Sequence, residues 1–92
     1  MTRVIETEGD AGSEPTFVFS VYLSPKDQKT VLGYLRPYAF SEGKNITYVK
    51  TDFGLDALTT LREAVSLAEQ YGVPFLLIQD PARSFPSEAR LP

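Results

Sequence analysis

Apolar and polar positions follow three different rhythms along this 92-residue chain, and each rhythm predicts a different element. Residues 16–23 are almost wholly β-branched or aromatic, with Phe17, Phe19, Val21 and Leu23 on one face and Val18, Ser20 and Tyr22 on the other. That alternation predicts a strand covered on both faces. Over residues 55–71 the period lengthens: Leu58, Leu61, Val65 and Ala68 recur at three and four, widened by Leu55, Ala64 and Tyr71, behind a capping Asp56 and ahead of Gly72. This predicts an amphipathic helix with a defined start and stop. Residues 73–78 (Val-Pro-Phe-Leu-Leu-Ile) are nearly all apolar, as expected of a central parallel strand, and Pro74 stands at its beginning, where no ladder donor is lost.

The weaker patterns lie between these. Ser24-Pro25-Lys26-Asp27 has a capping hydroxyl, then proline at the first helical position, then an acid in the first turn, which predicts a helix near 25–36 with a stripe of Val31, Leu32 and Leu35. Pro37 ends or kinks it. Tyr34, Tyr38 and Phe40 gather around that break, either as a cap on the core or as a partner-binding patch. Residues 46–51 carry polar residues interleaved with apolar ones, which predicts an edge strand.

The predicted order of strand, helix, strand, helix, strand is that of an α/β fold, a small three-stranded, mostly parallel sheet with βαβαβ topology and strand order 2-1-3. Residues 16–80 form the expected single domain, and residues 81–92, with Pro81, Pro86 and Pro92 and no period, an extended tail. Glu6, Glu8, Asp10 and Glu14 against Arg3 give residues 1–15 a charge of −3, equal to that of the whole chain. Their glycines and acids predict a flexible acidic arm. Val4 and Ile5 alone leave open whether residues 3–7 add a strand. If the arm reading holds, deleting residues 1–14 changes stability by less than about 1 kcal/mol.

Composition narrows the chemistry. With no cysteine and no histidine, the chain lacks disulfides, thiol redox chemistry and the usual zinc ligands, and a serine nucleophile would lack its commonest base. A redox-inactive protein in the cytoplasm is expected. No apolar run is long enough to span a membrane, so no membrane partner is expected. Lysines and arginines are scattered among as many acids outside the arm, which disfavours nucleic acid as a partner. Asn45-Ile46-Thr47 matches a glycosylation sequon by chance, and Gly9 and Gly12 do not make a nucleotide loop, since no strand precedes them.

Where a parallel sheet of order 2-1-3 reverses, ligands bind at the carboxyl ends of the strands. That edge would collect Ser24, Thr51, Asp52 and Asp80, oxygen ligands for a hard cation or a carboxylate base. The same residues also serve as a helix cap and as turn formers, and both readings stand.

From Val49-Lys-Thr-Asp52 to Phe85-Pro86 the chain resembles the C-terminal half of the type 2 peptidyl-tRNA hydrolase family. The resemblance rests on a Lys-x-Asp strand end, a helix with alanine four before a glycine, and the turn Gln79-Asp-Pro-Ala-Arg-Ser84. It implies that Asp80, Arg83 and Ser84 stand where that family has a functional Asp, Arg and Thr, and hence a hydrolase-like or RNA-related domain. The turn departs from the family at Gln79, Pro81 and Ala82, and the N-terminal half lacks its Gly-Lys and Ala-Gln-x-x-His elements. A proline opening the third strand is also similar to the redox-silent thioredoxin-like interaction modules. The residues themselves favour a non-catalytic binding or regulatory module without cofactor, working through a protein partner or self-association by β-pairing.

Overall fold

The computed structural model describes residues 2–80. Among them the chain forms β1 (Arg3–Ile5), β2 (Thr16–Leu23), β3 (Val31–Leu35), β4 (Tyr38–Glu42), β5 (Asn45–Val49), α1 (Ala57–Gln70) and β6 (Phe75–Gln79), with a 3-10 turn at Glu8–Ala11. Four strands make one sheet in the order β1-β6-β2-β3, in which β6 runs parallel to both neighbours and β3 antiparallel to β2. β4 and β5 form a separate antiparallel hairpin. The mixed α/β class is as predicted. The three-stranded, mostly parallel sheet of order 2-1-3 is not, and three local causes account for the difference.

The first is at residues 24–30, where a helix was predicted. Ser24 does cap one turn: its Oγ accepts from the Lys26 amide at 3.3 Å and its carbonyl from the Gln28 amide at 2.8 Å. The turn does not propagate, because the Asp27 carboxylate captures the amides of Lys29 and Thr30 and the Thr30 hydroxyl, at 2.9, 3.0 and 2.6 Å. Gln28 takes a left-handed φ of 58° and the chain returns as β3. Pairing β3 with β2 closes an edge that would otherwise lie open.

The second is β5. It is an edge strand, as predicted, but of the hairpin and not of the main sheet. Gly43, at φ 61°, opens a two-residue turn that hands β5 to its sequence neighbour β4. A local partner costs less loop-closure entropy than a crossover to the main sheet.

The third is the N-terminal segment. Residues 3–5 pair with β6, the Arg3 amide donates to the Pro74 carbonyl at 2.8 Å, and the buried Thr2 hydroxyl donates to the Val73 carbonyl at 2.7 Å. Ile5 and Ala11 cover Leu77 in a small second core, flanked by Val18 and Phe75. Two apolar residues suffice here because a central strand offers both an open edge and an uncovered face. The strand left open at residues 3–7 is therefore formed over 3–5, and within the segment predicted as an arm Thr2, Ile5 and Ala11 are buried while residues 12–15 stay exposed.

The main core lies on the other face, where Phe17, Phe19, Val21, Leu35, Leu76 and Ile78 meet α1. The Asp56 carboxylate accepts the Thr59 amide at 3.0 Å to start the helix, and Gly72, at φ 68°, stops it while the Val73 amide bonds back to the Ala68 carbonyl at 2.8 Å. The buried stripe is Ala57, Thr60, Leu61, Ala64 and Ala68, rotated from the predicted one, and Leu58 is 39 % exposed. Three alanines let the helix approach closely, and Gly33 on β3 leaves to the Phe19 ring and the Ala57 backbone the space that a Cβ would take. Tyr38 and Phe40 cap this core on Phe17, with Phe40 stacked on Tyr71 at 5.3 Å. Tyr34, predicted in the same cluster, points to the opposite face.

Candidate functional site

Half of the face opposite α1 is covered by Ile5 and the 3-10 turn. The other half is open, and β-strand alternation decides what it shows. β2 contributes Ser20 and Tyr22, the antiparallel register sets Tyr34 of β3 beside Ser20, and Gln79 of β6 is in register with Ser20 on the other side. Arg36 follows β3, its amide held by the Val18 carbonyl at 2.8 Å. Phe53 leans in from the loop before α1.

These side chains line an open groove of about 420 Å³. Tyr34 lies at its centre, with ring centroids 6.1 Å from Tyr22, edge to face, and 4.3 Å from Phe53. The Tyr22 hydroxyl accepts the Gly54 amide at 3.1 Å, which ties the Phe53 loop to the sheet. Phe53 remains 69 % exposed even so. The Arg36 Nε donates to Ser20 Oγ at 2.8 Å, and its terminal nitrogens make no hydrogen bond among the described residues. The groove thus offers an aromatic surface beside a guanidinium that keeps two donor groups for an anion.

The predicted strand-end residues do not converge. Ser24 is buried in its turn, and Thr51 is buried with its Oγ1 accepting the Leu35 amide at 2.8 Å, a tie between the end of β5 and β3. Asp52 is exposed beside Phe53. Asp80 follows β6, and because Gln79 is level with Ser20, Ser24 stands four residues further along β2 than the end of β6, about 13 Å at strand rise. Thr51 and Asp52 follow a strand outside the main sheet, so no shared carboxyl edge gathers them. Asp80 instead borders a second depression of about 440 Å³ with Glu6 and Glu8. No group of three or more acids in metal-binding proximity occurs among the described residues. Arg83 and Ser84, with which the peptidyl-tRNA hydrolase resemblance completes its site, lie outside them.

Sequence reading missed Tyr22, Tyr34, Arg36 and Phe53 as a group. The available signal was Ser20 and Tyr22 on the second face of β2, polar-edged residues on a face predicted to be covered. Among the described residues no helix is long and apolar enough to cross a membrane. Compared with known proteins, the chain matches no family model, no curated protein and no solved structure.

Proposed function

We propose that the protein is a small, non-catalytic binding module of the cytoplasm that acts through protein–protein contacts, and that the groove on the open sheet face receives its partner. One observation carries this reading: three aromatic rings and an Arg36 guanidinium with spare donors share one exposed surface. Aromatic residues and arginine are the side chains that dominate binding energy at protein interfaces. The guanidinium selects a carboxylate, and the rings beside it select an aromatic or apolar side chain near that acid in the partner. A chain without cysteine suits the reducing cytoplasm.

The test is a titration of labelled protein with a short peptide carrying glutamate two residues before phenylalanine, followed by amide shifts. Shifts confined to Ser20, Tyr22, Tyr34, Arg36 and Phe53, weakened by Glu→Gln in the peptide and by Arg36→Gln in the protein, support the reading. A peptide that leaves those amides unmoved at millimolar concentration counts against it.

A further inference from the structure

We infer that the protein pairs with a second copy of itself through the free edge of β5, in an antiparallel register centred on Tyr48. This surface is the hairpin and not the groove, so the inference shares with the proposed function only the general reading of a protein-binding module.

The hairpin register decides which backbone groups are free. Glu42 and Asn45 flank the two-residue turn and form the closing hydrogen-bonded pair, so bonding alternates from there: Phe40 with Thr47 and Tyr38 with Val49 are bonded, while Ser41 opposite Ile46 and Ala39 opposite Tyr48 are not. The amides and carbonyls of Ile46 and Tyr48 therefore point to the open side of β5, and they make no hydrogen bond among the described residues. The same two residues expose their side chains, at 59 % and 64 %. An unpaired strand edge with an apolar outer face is a template for another strand.

Charge then selects the partner and the register. Two copies of β5 meeting antiparallel must set even-numbered residues opposite even-numbered ones, since those carry the outward backbone groups. A pairing centred on Thr47 would set Lys44 against Lys50 of the other copy twice over, and like charges directly opposite are destabilising. A pairing centred on Ile46 needs residue 42 opposite Lys50, and that residue lies on β4 beyond the turn. Centring on Tyr48 sets Tyr48 against its own counterpart and Ile46 against the aliphatic stem of Lys50, just past the end of β5, and brings Lys44 in the turn toward Asp52 in the loop that follows β5 of the other copy. Lys44, Lys50 and Asp52 are all exposed and available for these contacts. The edge is complementary to itself in charge and in apolar contact at one register, which is why a second copy is the occupant. The product is a four-stranded antiparallel sheet spanning both copies.

Sedimentation velocity over a micromolar to millimolar series tests this. The full chain is expected to shift from one to two chain masses. Tyr48→Pro removes an outward amide that the hairpin does not use, so it should keep the fold and abolish the shift. Asp52→Lys should weaken pairing tenfold or more, and Lys44→Asp added to Asp52→Lys should restore it. A chain that stays monomeric throughout overturns the inference, as does a dimer that survives Tyr48→Pro in a folded protein. Should Tyr48→Pro fail to fold, the charge swap decides alone: a dimer indifferent to Asp52→Lys, or one not restored by the reciprocal change, overturns the register. Arg36→Gln should leave the dimer untouched, which separates failure here from failure of the groove.

Discussion

Gly33 shows how much one missing methyl group can hold. A Cβ there would stand 2.6 Å from Phe19 Cζ and 3.3 Å from the Ala57 Cα, so the fully buried Phe19 ring would have to shift. Gly33→Ala is expected to cost about 1–3 kcal/mol in urea unfolding, although alanine suits a strand better than glycine does. Asp27 acts by the opposite means, through contacts made. The Thr30 hydroxyl first, then the amides of Thr30 and Lys29, lower its carboxyl from 3.8 to about 2. Because the folded value is the lower one, the turn's contribution is complete above about pH 4 and is lost as pH falls through about 2. The stability of the protein should therefore fall more steeply between those values than that of Asp27→Asn, which has no carboxylate to titrate. Carboxyl carbon shifts followed across the same range check the position of the transition. Asp27 is also where sequence reading went astray, since an acid in the first turn of a helix and an acid that closes a loop are the same residue in the same place. What separates them is Thr30, whose hydroxyl completes the loop's bonding and whose β-branch disfavours helix.

At the scale of elements, β2, α1 and β6 were legible because each carries enough residues for its period to declare itself, with a glycine, proline or cap at its ends. Val31-Leu-Gly-Tyr-Leu35 has no such margin. Five residues fit a helical stripe or a strand equally well, and the deciding fact, the open edge of β2, belongs to another element. The groove was illegible for the same reason, since Tyr34 joins Ser20 and Tyr22 only once β3 is a strand in that register. The helix itself was placed correctly but rotated, because small residues can lie deeper than large ones when a sheet approaches closely. Leu61→Ala is expected to cost about 2–5 kcal/mol and Leu58→Ala about 1 or less, a contrast that chemical denaturation resolves directly. The N-terminal strand makes a sharper demand. Ile5 is 4 % exposed, so Ile5→Ala should cost about 2–5 kcal/mol, and deleting residues 2–14 at least as much, where a detached arm would cost less than about 1. Thermal unfolding of the two variants distinguishes these outcomes.

At the scale of the whole molecule, the two surfaces proposed for contact, the aromatic groove and the hairpin edge, belong to different sheets. That separation would allow a paired molecule to hold a partner on each copy without either contact obstructing the other. The sheet order has a consequence in time as well. β6, the last described strand in sequence, is the only neighbour that β1 has among the described residues, and it fills the place between β1 and β2. During synthesis β2 can find β3, and β4 can find β5, but residues 3–5 lack their β6 partner until residues 75–79 emerge from the ribosome. Nascent chains stalled with residue 72 as the last exposed should accordingly be cut by protease near residues 2–14, and chains stalled with residue 80 well clear of the tunnel should be protected there. The first strand thus waits on β6, and a segment that looks dispensable when read first becomes a latch that a strand some seventy residues later closes.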